Sequence, residues 1–251
     1  MAITETEAIV IRSYNLAEAD KIVVCLTRSA GLVRAVAKGS RKLKNRFGAS
    51  LEPFTLVNIT YYSKENQELA SMRQAEILKS HFNLSGEPDT LIGLSYMGDL
   101  VVEFSPPHQT NDKLFRMFSA CLDALSDHPD EIQVIVRYFE VWILKLEGFL
   151  PDLWRCADCQ RSLAEQKGVS LSRELGLLCP HCAHGKDEVL SGKAYARLCA
   201  TQSLGPTAFV EGSKGLSRAT QRELAELLHR LIGRVLERRP RVQLAFQSRG
   251  G

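Results

Sequence analysis

Apolar residues recur through the first eighty positions in short bursts: Ala8–Arg12, Ile22–Thr27, Leu32–Ala37, Phe54–Tyr62 and, more weakly, Leu69–Met72. Runs of this length, rich in Val and Ile and separated by Gly or polar residues, predict strands. No helical period lies between them, so five such strands predict a small antiparallel barrel and not a parallel sheet. Pro53 stands at the entry of the fourth, where a missing N–H is tolerated.

From about residue 88 the period lengthens. Leu91, Leu94, Met97, Val101 and Phe104 fit one face of a helix that ends before Pro106 and Pro107. Asn111 or Asp112 is placed to cap a second helix, with Leu114, Phe115, Phe118, Leu122 and Leu125 facing inward. A third helix is predicted from about Glu131 to Glu147, stopped by Gly148 and Pro151. Near the C-terminal end, Thr220 and Glu223 have capping-box spacing, and Leu224, Leu227, Leu228, Leu231, Ile232, Val235 and Leu236 form one apolar stripe.

The 251 residues are 45% hydrophobic, the composition of an ordinary soluble globular protein. The longest apolar runs, such as Ala8–Ile11 and Val141–Leu144, fall far short of the ~18 residues that span a bilayer. Acidic Glu5 and Glu7 near Met1 do not make a secretion signal, so a cytoplasmic location is expected. Charge changes the picture only when it is divided along the chain. Residues 1–80 carry twelve Lys/Arg against eight Asp/Glu (+4), residues 81–150 four against eleven (−7), and residues 151–251 sixteen against ten (+6). Two basic ends around an acidic middle point to a polyanion or an acidic partner.

Seven cysteines without a secretion signal argue against a disulfide framework. Four of them form Cys156-Ala-Asp-Cys159 and Cys179-Pro-His-Cys182, two CxxC knuckles nineteen residues apart. Each knuckle aims two thiolates at one point, and the segment between can return as a hairpin, which is the pattern of a four-cysteine zinc site. Four thiolates close the tetrahedral shell and leave no place for an activated water, so a structural Zn2+ is expected. A thioredoxin-type dithiol needs one pair in a βαβ setting, which is lacking here. His181 and His184 are expected outside the ligand set, and Cys25, Cys121 and Cys199 are read as small core residues.

Arg34, Lys38, Arg41, Lys42, Lys44 and Arg46 place six cations and no acid in thirteen residues. Gly39, Ser40 and Asn45 predict a loop leaving a strand. A basic loop beside a small barrel holds single strands by tracking phosphates, while aromatics stack on bases. Tyr61 and Tyr62 are neighbours and point to opposite faces of a strand, so at most one of them stacks; Phe47 is a further candidate. Arg230, Arg234 and Arg238 recur every four residues beside the leucine stripe, as a second face for a partner or DNA. The sequence contains no GxxxxGK[ST], HExxH or GxSxG, and its six histidines form no catalytic pattern. No enzyme is expected.

Several short stretches resemble a known family. Glu18-Ala-Asp20, Thr27–Gly31, Ala35-Val-Ala-Lys-Gly39, Leu51-Glu-Pro-Phe54 and Ala75-Glu76 are similar to the N-terminal barrel of the RecO family of bacterial DNA repair proteins. Gly148-Phe-Leu-Pro-Asp-Leu153 resembles that family's entry to its zinc module. The resemblance implies an α+β chain: an OB-fold over residues 1–80, then a helical domain over 81–251 with a zinc module embedded at about 152–190. It also implies a mediator that binds single- and double-stranded DNA and anneals complementary strands. With RecR, such a mediator loads RecA onto strands covered by single-stranded-DNA-binding protein. Gln160 departs from the glycine the family commonly has after the first knuckle. The alternatives carried forward are a zinc-ribbon RNA-binding or transcription adaptor and a metal-dependent hydrolase.

Overall fold

The computed structural model describes residues 2–64, 68–106, 109–164, 166–184 and 188–236. They form two compact units, the first running through Ile132 and the second from Gln133.

The first unit is built on a closed barrel of five strands: β1 (Ala2–Leu16), β2 (Asp20–Thr27), β3 (Gly31–Ala37), β4 (Leu56–Ser63) and β5 (Ala70–Lys79), in the order β1-β2-β3-β5-β4. All pairings are antiparallel except β3 with β5, where Ala35 meets Ala70 and Val36 meets Ser71 in parallel. That order and the parallel closure give an OB-type barrel. Inward side chains at every second position (Val23 and Cys25, Val33 and Ala35, Val57 and Ile59) fill the interior.

β1 is three times as long as the apolar burst that announced it. Its first half pairs with β4 and its second half with β2, and the register shifts between Val10 and Arg12 where the strand changes partners. The whole run Ala8–Ile11 is buried, because the barrel covers one face and helices of the same unit cover the other. Gly98 in α1 (Pro88–Phe104) makes that approach possible: a Cβ there would stand 3.0 Å from Ile11 Cγ2. Arg12 pairs with Asp99 at the next position of the helix. α2 (Asp112–Asp127) is capped by Asn111, whose Oδ1 accepts from the Leu114 amide at 3.0 Å. His81, fully buried after β5, ties the barrel to α2. Its Nδ1 lies 3.1 Å from the Phe54 carbonyl and its Nε2 3.0 Å from Asp123 Oδ1.

The second unit contains α3 (Ile132–Leu146), the cysteine knuckles, and a three-stranded sheet in the order β7-β6-β8, from β6 (Gly168–Leu171), β7 (Leu177–Leu178) and β8 (Glu188–Ser191). α4 (Gly192–Ala200), α5 (Pro206–Glu211) and α6 (Arg218–Val235) complete it. Trp142 Nε1 and the Tyr138 hydroxyl donate to the carbonyls of Thr201 and Leu204, both at 3.0 Å, which fixes α3 against the turn after α4. The buried Arg197 guanidinium lies 3.7 Å above the Phe209 ring, in space kept open by Gly212.

The cap of α6 differs from the sequence expectation. Ser217, not Thr220, is the N-cap, its Oγ accepting from the Thr220 amide at 3.2 Å. Glu223 instead accepts from the Ser191 amide at 2.8 Å. A serine three residues upstream offers the same hydroxyl one turn earlier, and the helix takes the longer option. Among the described residues, no helix is long and apolar enough to cross a membrane.

Candidate nucleic-acid interface and metal centre

The metal centre begins at a chain reversal. Asp152 Oδ1 accepts from the amides of Trp154 at 2.7 Å and Arg155 at 3.3 Å, an Asx turn that aims Cys156 inward. The Tyr195 hydroxyl holds the adjacent Leu153 carbonyl at 2.6 Å from α4. Between the knuckles, β6 and β7 form the expected hairpin, and the Ala157 amide donates to Leu177 O at 2.8 Å, laying the first knuckle on its end. Only glycine fits at 176, where a Cβ would stand 2.5 Å from that of Ala157.

Cys156, Cys159, Cys179 and Cys182 converge with all four sulfurs within 4.8 Å of one another. Four sulfurs about 2.3 Å from a common tetrahedral centre are separated by about 3.8 Å. Cys159 Sγ and Cys179 Sγ stand 3.8 Å apart, so the set fits a metal ion. Burial pushes the Cys156 thiol up, but backbone amides of Cys159, Cys179 and Asp158 outweigh it and bring the thiol down to about 6. The Cys179 amide itself lies 3.3 Å from Cys156 Sγ. Cys182 is driven the other way, to about 12, first by its hydrogen bond with Cys159 and then by burial and its other sulfur neighbours. Amide donors aimed at sulfur favour the thiolate form that binds metal, and a central cation would relieve the repulsion among neighbouring thiolates. The cluster consists of the four cysteines; neither His181 nor His184 belongs to it.

Gln160 closes the first knuckle with φ +59°, the left-handed conformation that favours glycine. It retains the turn by bonding Cys156 O through its amide at 3.0 Å and Ala157 O through Nε2 at 3.2 Å. Gln160→Gly is therefore expected to raise stability by up to about 1 kcal/mol, read as a higher urea midpoint. A lower midpoint would mean that the side-chain bond outweighs the strain.

On the barrel, the six predicted cations are all exposed. Arg34 belongs to β3 itself, opposite Val24 of β2; the other five follow the strand. The loop is held in shape. Asp20 Oδ1 accepts from the Gly39 amide at 2.8 Å, and Gly39 and Gly48 adopt φ of +72° and +53°. Asn45 Oδ1 accepts from the amides of Phe47 and Gly48, at 2.9 and 2.8 Å. Arg41 is fastened to the β1–β2 turn by its amide to Ala19 O (2.9 Å) and its Nη1 to Ala17 O (2.8 Å).

Lys38 and Arg46 line an open cavity of about 600 Å³ with Tyr62, Ser71, Met72, Arg73 and Gln74. Arg34, Arg41, Lys42 and Lys44 lie outside it. Phe47 and Tyr61, both offered by the sequence as stacking aromatics, are buried in the barrel core. Of the three aromatics it is Tyr62, half-buried, that faces the cavity. Arg73 and Gln74 escaped sequence reading because they lie on β5, far from the basic run; the pairing of Tyr62 with Ser71 brings them to it.

On α6, Arg230 and Arg234 are exposed, and Arg234 Nη1 donates to Arg173 O at 3.3 Å, at the turn of the knuckle hairpin. Arg238 lies outside the described residues.

Residues 1–81 match the family model for the recombination protein O N-terminal domain, and residues 85–244 that for its C-terminal domain. A DNA repair protein RecO of Anaeromyxobacter sp. (strain K) is 31% identical over 233 residues, 92% of this chain and 91% of its own. One from Koribacter versatilis is 34% identical over 162 residues, 64% of this chain and 66% of its own. One from Geobacter metallireducens is 31% identical over 182 residues, 72% of this chain and 73% of its own.

Proposed function

The chain belongs to the RecO family of DNA repair proteins, and from that premise we propose that it is a non-catalytic recombination mediator. It binds single- and double-stranded DNA, anneals complementary strands and, with RecR, helps to load RecA onto strands covered by single-stranded-DNA-binding protein. Its place of work is the cytoplasm, at the nucleoid.

The observation that carries this reading is the exposed run of six cations, five of them in a preformed loop, on a closed barrel whose adjoining cavity has no acidic side chain in its lining. Such a surface neutralises phosphates, and if two strands share it their mutual repulsion falls. Annealing then speeds up without any covalent bond being made or broken. The metal assigned to the four thiolates is zinc, because soft sulfur ligands in a closed tetrahedral set suit it over hard cations. That closed set leaves no open coordination position for hydrolysis, which favours a structural role.

The test is annealing of complementary oligonucleotides coated with single-stranded-DNA-binding protein, with wild type compared against a variant in which Lys38, Arg41, Lys42, Lys44 and Arg46 are all replaced by Gln. Rapid annealing by the wild type, lost in a variant with an unchanged circular dichroism spectrum, is the expected result. A wild type that fails to anneal DNA but binds RNA would overturn the proposal in favour of a zinc-ribbon RNA-binding adaptor.

A further inference from the structure

β5 carries one residue more than its partner needs, beside the basic loop. Tyr62 pairs with Ser71 and Tyr61 with Met72, but the next residue of β4, Thr60, pairs with Gln74. Arg73 is the inserted residue of a β-bulge. A regular strand would alternate, sending Gln74 inward after Met72. The bulge shifts the phase instead: Met72 and Ala75 point into the barrel, and two consecutive side chains between them, Arg73 and Gln74, stand outside and line the cavity. Bulges re-aim side chains in this way at barrel rims and functional sites.

The re-aimed Arg73 lies across the Tyr62 ring, its guanidinium carbon 4.2 Å from the ring centroid. Lys38 and Arg46 complete the cavity wall, with Arg46 Nη2 3.4 Å from Met72 O. Among the described residues, none of these three cations forms an ion pair with a carboxylate. The cavity thus presents a planar cation backed by an aromatic ring, with two further cations beside it. Its volume of about 600 Å³ accommodates a nucleotide. A guanidinium plane stacks on a nucleobase, and flanking cations take the phosphate.

We propose that this cavity is a subsite for one unpaired nucleotide of single-stranded DNA, its base stacked on the Arg73–Tyr62 pair and its phosphate met by Lys38 and Arg46. The assignment rests on the strand-binding reading of the barrel and adds to it a discrimination. A base inside a duplex presents no free face to Arg73, so the subsite favours unpaired strands, whereas the remaining loop cations attract any phosphate backbone.

The experiment is a binding titration with three probes of equal length: oligothymidylate, the same strand carrying abasic sites throughout, and a duplex. The variants are Arg73→Lys, which keeps the charge but loses the stacking plane, and Tyr62→Leu, which removes the ring beneath it. Wild type is expected to favour oligothymidylate over the abasic strand by roughly tenfold or more. Arg73→Lys is expected to lose most of that preference while holding duplex affinity within about twofold of wild type, and Tyr62→Leu to weaken it in the same direction. Equal binding of base-bearing and abasic strands by wild type would overturn the subsite while leaving the strand-binding reading intact, as would an Arg73→Lys protein with the wild-type preference. Failure of the wild type to bind any of the three probes would remove the reading on which the subsite rests.

Discussion

Chelating the zinc proposed for the four thiolates, or replacing Cys179 with Ser, is expected to unfold the knuckle segment at about residues 152–191 and to cost on the order of 10 kcal/mol of local stability. The magnitude follows from how little else holds that segment. Its strands have four, two and four residues, and besides the cysteines its apolar interior comes down to Leu153, Leu163, Val169, Leu171, Leu177, Leu178 and Leu190. A stretch of some forty residues with so small a core needs a metal or a cross-link to stay folded. Cys156 and Cys179 are themselves buried, so the metal would tie the two knuckles together inside that small core. The pH dependence has a definite sign. Binding needs four thiolates, and Cys182, pushed up to about 12 by its sulfur neighbours, still carries its proton at neutral pH in the metal-free state. Metal uptake must therefore release protons, and affinity must fall as pH drops from 8 to 6 and the proton competes more strongly. Hydrogen exchange across the segment, followed with and without chelator at several pH values, measures both effects. Unchanged protection in metal-free protein would overturn the structural assignment.

Chemistry that lies close together along the chain was legible in the sequence, and chemistry assembled across strands was not. The two CxxC knuckles and their intervening hairpin could be read because each knuckle is complete within four residues. The helices α1, α2 and α3 were readable for a similar reason: their apolar faces repeat within single segments. β1 was seen only in part, since Thr4, Glu5, Thr6 and Glu7 look polar until their pairing with Tyr61, Thr60, Ile59 and Asn58 of β4 is known. β5 was read as four residues for the same reason, its outer half being exposed and polar to the eye. The short α4 and α5 were missed because neither is long enough to establish a helical period. At the barrel face, the cationic run was plain, but its stacking partner was not. Tyr61, Tyr62 and Phe47 are equivalent on paper, and only closure of the barrel buries two of them. Arg73 could not have been chosen at all, because a bulge is a property of two strands and not of one.

The affinity for single-stranded DNA is expected to fall with salt along a slope of about −4 in log–log form, if all six cations from Arg34 to Arg46 meet phosphates at roughly −0.7 each. Between 50 and 200 mM salt that amounts to roughly a 250-fold loss. All six are exposed, so each is open to a strand's phosphates, although one guanidinium nitrogen each of Arg41 and Arg46 already bonds a carbonyl, of Ala17 and Met72. The loop is also fixed before binding, by Asp20 on the Gly39 amide, Asn45 on Phe47 and Gly48, and Arg41 on the β1–β2 turn. Little ordering entropy is then spent on association, and counterion release dominates the dependence. Neutralising Lys38, Arg41, Lys42, Lys44 and Arg46 together leaves Arg34 alone and should flatten the slope to about −0.7. Slope and affinity separate two kinds of failure. A variant that binds weakly with the wild-type slope has lost its fold or its stacking surface, not its phosphate contacts. A wild type whose affinity ignores salt would show that the cations face water and that this barrel holds its strand by some other means.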